Sequence, residues 1–176
     1  MYALASQMQS LPIISLQTGE AVAWSRQPLI DIGNLEILAF RCESSRKKHH
    51  QILMTRDIRQ LAGDCIIIDN EDELADPEDI VRMQAMVSSS YNPIDKLVVS
   101  DTGRKLGTVE DFTVNLDTNR IQKLHIRQSL LRSWIGNSLV VDRTQIIDIA
   151  PQRITVRDST VKSPIIQNEA VPETPS

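Results

Sequence analysis

The chain has 176 residues, a formal net charge of −4, and only 3% aromatic residues. That length holds one ordinary domain or two small ones, and any core has to be built from Ile, Leu and Val. The excess of acid argues against wholesale non-specific binding of nucleic acid or of an anionic membrane.

Residues 1–10 are small and polar with no period, so a flexible arm is expected there. From Leu11-Pro12-Ile13-Ile14-Ser15-Leu16, through a Thr18-Gly19 turn, short apolar runs continue to position 69 and read as strands. Cys42 and Cys65 fall in strand-like surroundings and are expected as buried thiols, with a reducing cytoplasm as their setting. No stretch approaches the roughly 20 apolar residues of a membrane-spanning helix, and no basic-then-apolar leader opens the sequence.

Residues 70–90 form an acidic linker. Asp76 followed by Pro77 has the form of a helix N-cap with proline at the first helical position, and Glu78 and Asp79 suit the positive helix end. Ile80, Met83 and Val87 then recur at helical spacing, which predicts a short helix over about 77–87. The seven acids between Asp69 and Asp79 lack the alternating ligands and turn glycine of a calcium loop, so they read as a solvated cap.

A second strand-rich stretch covers 91–158. Leu97-Val98-Val99-Ser100 precedes a tight Asp101-Thr102-Gly103 turn. In the long run that follows, Leu106, Phe112 and Val114 share one side while Val109 sits opposite, the pattern of a bent or partly two-sided strand. A turn at Asp117-Thr118-Asn119 and four more short apolar runs complete the set, and so many short strands favour closure into a barrel. The remaining residues, 159–176, contain Pro164, Pro172 and Pro175 and too few apolar residues to order themselves, so a disordered tail is expected.

The two stretches repeat. Thr18-Gly19 lies 84 positions before Thr102-Gly103, Leu35, Leu38 and Phe40 lie 86 before Ile121, Leu124 and Ile126, and Ile66 and Ile68 lie 88 before Ile154 and Val156. In the first copy Ala23 stands for Gly107, and Pro28 is expected to interrupt the long strand.

The order Gly103-Arg104-Lys105-Leu106-Gly107-Thr108-Val109-Glu110-Asp111, then Ile121-Gln122-Lys123-Leu124-His125-Ile126, then Leu139-Val140-Val141-Asp142-Arg143-Thr144-Gln145-Ile146-Ile147-Asp148-Ile149 resembles the PRC-barrel family. That family includes the cytoplasmic domain of the photosynthetic reaction-centre H subunit and the C-terminal domain of ribosome-maturation factors. The resemblance implies a small β-barrel used for docking and brings no catalytic residues with it. The expected architecture is therefore mainly β: two tandem small PRC-like β-barrels, 11–69 and 91–158, joined by a short α-helix.

Chemistry-bearing motifs are absent. The three histidines, His49, His50 and His125, make no metal set with Cys42, no Gly-rich phosphate loop occurs, and no Ser, His and Asp grouping has motif context. An enzyme, a cofactor, a metal and a small-molecule substrate are accordingly not expected. Residues 129–136 interrupt the strand pattern yet carry Leu130, Leu131, Arg132, Trp134 and Ile135, an aromatic, aliphatic and Arg cluster expected to bind a protein partner. Basic residues recur at matching places in the two copies, Arg46, Lys47 and Lys48 in the first and Arg120, Lys123 and Arg127 in the second. They would face an anion: structured or ribosomal RNA, an acidic protein, or the chain's own linker. The expected function is a docking adaptor, with an RNA- or ribosome-associated assembly factor as the alternative.

Overall fold

The computed structural model describes residues 1–44, 47, 49–61, 64–77, 90–128 and 139–157. The expected helix over 77–87 and the tail 159–176 lie outside them, apart from Pro77. Among the described residues the chain is mainly β, with no helix of seven or more residues.

In the N-terminal half, β2 (Pro12–Ser15) pairs antiparallel with β3 (Ala21–Asp31) and parallel with β7 (Ile66–Ile68). β3 pairs with β4 (Glu36–Ser44), β4 with β5 (His50–Met54), and β6 (Gln60–Leu61) with β7. A two-residue β8 (Leu74–Ala75) adds to β5. The C-terminal half follows the same scheme: β9 (Leu97–Ser100) pairs antiparallel with β10 (Lys105–Asn115) and parallel with β14 (Arg153–Val156). β10 pairs with β11 (Arg120–Arg127), β11 with β12 (Leu139–Asp142), and β13 (Ile146–Ala150) with β14.

The correspondence extends to register. Pro28 faces Phe40 and Asp31 faces Glu36 in one half, while Phe112 faces Leu124 and Asn115 faces Arg120 in the other, a constant offset of 84. The offset of 86 read from Leu35, Leu38 and Phe40 is thus two residues out. A slip of two keeps every side chain on its own face, so alternation cannot detect it. Both long strands are kinked at matching places, between Ser25 and Pro28 and between Leu29 and Ile30 in β3, and between Val109 and Asp111 and between Thr113 and Val114 in β10. Pro28 therefore does not interrupt β3; it pairs with Phe40 directly after the bulge that follows Ser25.

Among the described residues the strands of both halves form one 14-stranded sheet. β4 meets β11 at Glu36 and Arg120, where Ile37 N donates to Asn119 O and Ile121 N donates to Leu35 O, both at 2.8 Å. One core cluster runs through both halves, from Val22, Ile37 and Leu53 to Val98, Val109 and Ile126. The expected flexible arm is part of it. β1 (Tyr2–Leu4) pairs with β10, and the 3₁₀ turn Ala5–Met8 buries Ala5 and Met8 in the common core. The six apolar residues of this segment, Met1 to Ala5 and Met8, follow neither period two nor period 3.6, so they give no element to read; only Ala5 and Met8 are buried, and burying Met8 is worth about 1.5–3 kcal/mol.

The cysteines part company. Cys42 on β4 is fully buried, and burial pushes its thiol up to about 12. Cys65 precedes β7 and is only half-buried, so the expectation of burial fails for it; partial desolvation and then the neighbouring Asp64 raise its pKa.

Gly107 carries the sharpest steric demand. Its φ is +151°, and an added Cβ would fall on the Arg127 carbonyl and within 2.9 Å of Ile126 Cγ2. Its counterpart Ala23 pairs with Ile13 and Ser44 without a positive φ. Gly107→Ala should therefore cost about 2–4 kcal/mol, read as a lower urea midpoint. A parental midpoint in that variant would contradict the close approach.

Candidate functional site

A concave region of mixed polar and apolar lining lies where the halves meet. A groove of about 430 Å³ is lined by Ile32, Gly33 and Leu35 from the β3–β4 turn and by Arg143, Ile146, Ile147, Asp148 and Ile149 from the C-terminal half. Two large aliphatic side chains stand open at it, Ile32 at 37% and Ile147 at 49% exposure.

Local chemistry builds both walls. Asp31 shapes the turn by accepting from Gly33 N at 3.1 Å and Asn34 Nδ2 at 2.9 Å. Leu35 follows with φ of 51°, a left-handed conformation that an L residue with a Cβ adopts at a cost of about 1–2 kcal/mol. The matching position of the other half is Asn119, φ 55°, a residue type that tolerates it. Leu35 is held there by burial and by the bond from Ile121 N at the junction.

On the opposite wall, Asp142 caps the 3₁₀ turn Arg143–Gln145. It accepts from Thr144 N at 3.0 Å and Thr144 Oγ1 at 2.7 Å, while Gln145 Oε1 accepts from Asp142 N at 2.7 Å. The two Thr144 bonds hold the Asp142 carboxyl below its ordinary range. A bulge between Ile146 and Asp148 then turns β13 so that Ile147 points outward. Behind the groove, Tyr91 ties the halves: its N donates to Ile30 O at 3.0 Å and its hydroxyl to Ala150 O at 3.4 Å.

Those of the singled-out basic residues that the structure describes face acids within the chain. Lys47 lies 2.9 Å from Asp76, Arg120 3.5 Å from Glu36 and Arg127 3.8 Å from Asp95, and Lys123 stands opposite Asp142 on the neighbouring strand. Of the anionic surfaces considered for them, the chain's own linker supplies Asp76. His49 Nε2 at 3.0 Å and Gln51 Nε2 at 3.1 Å also meet the Asp76 carboxylate. Arg46 and Lys48 lie outside the described residues, as do Leu130, Leu131, Arg132, Trp134 and Ile135 of the expected binding hairpin. Among the described residues no three His, Cys, Asp or Glu side chains gather as metal ligands, and no helix is long and apolar enough to cross a membrane.

Sequence reading missed the groove because its walls lie more than a hundred residues apart. One signal was present: Ile146 and Ile147 are adjacent, and neighbours on a strand cannot both face one core.

Residues 86–162 carry a PRC-barrel domain, which takes in the whole of β9–β14. No curated protein matches the chain. The domain explains the small barrel-type strand set of the C-terminal half and the apolar anchors quoted from its sequence.

The Asp76 cluster gives a pH prediction. The Lys47 hydrogen bond first, and then that of His49, lower the Asp76 carboxyl from its ordinary 3.8. A group depressed on folding stabilises above its unfolded pKa, and that contribution is lost as pH falls through the folded value. Asp76→Asn should therefore be less stable than the parent at pH 6, and the urea midpoints of the two should converge as the pH drops below 3.8. A gap that stays constant into strong acid would show that the carboxylate charge contributes nothing.

Proposed function

We propose that this is a non-enzymatic docking protein in which two tandem PRC-barrel-like halves, the first a degenerate copy, present a binding surface to a protein partner. The observation that carries the reading is the seam groove, with Ile32 and Ile147 exposed beside it. Neighbouring aliphatic side chains left open at a concave site mark an interaction surface rather than a random scatter of apolar atoms. The matched register and bulges of the two halves support the tandem reading. Hairpin 129–136, with Leu131 and Trp134, would extend the binding surface.

The alternative, contact with structured RNA through the basic hairpins, is less favoured. Phosphate binding needs cations free to replace counterions, and Lys47, Arg120 and Arg127 are each engaged by an acid in the chain. Exposed pairs of this kind are worth only about 0–1 kcal/mol, so RNA could still compete for them, and salt dependence separates the two readings.

A photo-crosslinking residue placed at position 147, with a control at the equally exposed Leu16, tests this in the native cell extract. Docking predicts a discrete protein adduct at 147 that persists in high salt and is missing at 16. A nuclease-sensitive, salt-labile adduct would favour RNA, and equal labelling at both positions would contradict a site at the groove.

A further inference from the structure

We propose that the occupant of the groove is a second copy of this chain: across a twofold axis, Ile147 of each copy seats in the groove of the other, and Arg143 of each faces Asp148 of the other. This rests on the docking reading above and names the partner.

Three observations converge. A twofold interface requires one patch to be complementary to itself, and here the knob and the hole share a patch. Ile147, 49% exposed, projects beside a cavity of about 430 Å³ walled by Ile32, Leu35, Ile146 and Ile149.

The charges match in the same way. Arg143 and Asp148 both line the groove, and neither has an ion pair among the described residues, whereas Lys47, Arg120 and Arg127 all do. An opposite pair left open in the groove lining is satisfied twice over by a twofold copy, whose Asp148 meets Arg143 and whose Arg143 meets Asp148. A partner segment of single charge would answer one of them and repel the other.

The strand edge sets the mode of contact. β13 ends the sheet path and pairs only with β14 among the described residues. Its bulge and the exposed Asp148 are features that discourage a continuous ladder with another strand. The contact is therefore made by side chains, with the bulge aiming Ile147 outward.

Sedimentation velocity of the full chain over a concentration series is the test, with circular dichroism confirming that each variant is folded; all three substituted side chains lie at the groove surface. The parent should dimerise reversibly. Arg143→Asp and Asp148→Arg alone should each raise the dimer Kd about tenfold or more, since each brings like charges together. The double reversal should restore it, and Ile147→Asp should leave only monomer. A parent monomeric at every concentration, a dimer that survives Ile147→Asp, or a double reversal that does not rescue would overturn the proposal. A monomeric parent that still crosslinks a different protein from position 147 would remove the dimer and leave the docking reading standing. A monomeric parent with no adduct would remove both.

Discussion

Two main-chain hydrogen bonds, Ile37 N to Asn119 O and Ile121 N to Leu35 O, join what would otherwise be two separate sets of strands. Their position determines much else. They lie where the β3–β4 turn meets the start of β11, so Leu35 is drawn into a left-handed conformation and into the wall of the groove. Net hydrogen-bond energies of about 0.5–1.5 kcal/mol each would not hold two halves together alone. Ala5 and Met8 add apolar burial at the same core, β1 extends the pairing along β10, and Tyr91 reaches both Ile30 and Ala150. The seam is thus a continuous piece of interior, and the groove is the part of it left open to solvent.

The halves reach one register by different means. In β10 the kink near Val109 is accompanied by Gly107 at φ +151°, packed against the Arg127 carbonyl. In β3 the matching kink is made with Ala23 in ordinary extended backbone and with Pro28 directly after the bulge. The residues left out of the pairing are Arg26 and Gln27 in β3 and Glu110 in β10, so the kink itself needs neither a glycine nor a proline. Ala23 and Pro28, which stand where the other half has Gly107 and Phe112, therefore leave the strand register intact.

Most of the strand plan was legible in the sequence because period two and turn chemistry are local: the Thr18-Gly19 and Thr102-Gly103 turns, the opposed placing of Val109 and the short apolar runs all follow from short windows. What was not legible depends on contacts between distant residues. Residues 1–10 read as an arm because their apolar residues, Met1 to Ala5 and Met8, follow no regular period, and pairing with β10 leaves no mark in so short a segment. The basic residues read as an open surface because Asp76, Glu36 and Asp95, which answer them, are remote in sequence or across a junction. The offset through β4 was misread by two because equal-parity slips conserve the buried face. The groove is the extreme case: neither Ile32 nor Ile147 is unusual until the seam brings their segments together.

The central claim is that the seam makes the two halves one cooperative structure. Native-state amide exchange in a series of urea concentrations tests it directly, since local openings and global unfolding exchange with distinct free energies and urea slopes. The Ile37 and Ile121 amides, which bridge the junction, should open only with the whole molecule, converging on the free energy of the Ile66 and Ile154 amides within the two halves. Junction amides that exchange at a clearly lower free energy and with a smaller urea slope, while both interiors stay protected, would show that the halves separate before they unfold and would contradict the account.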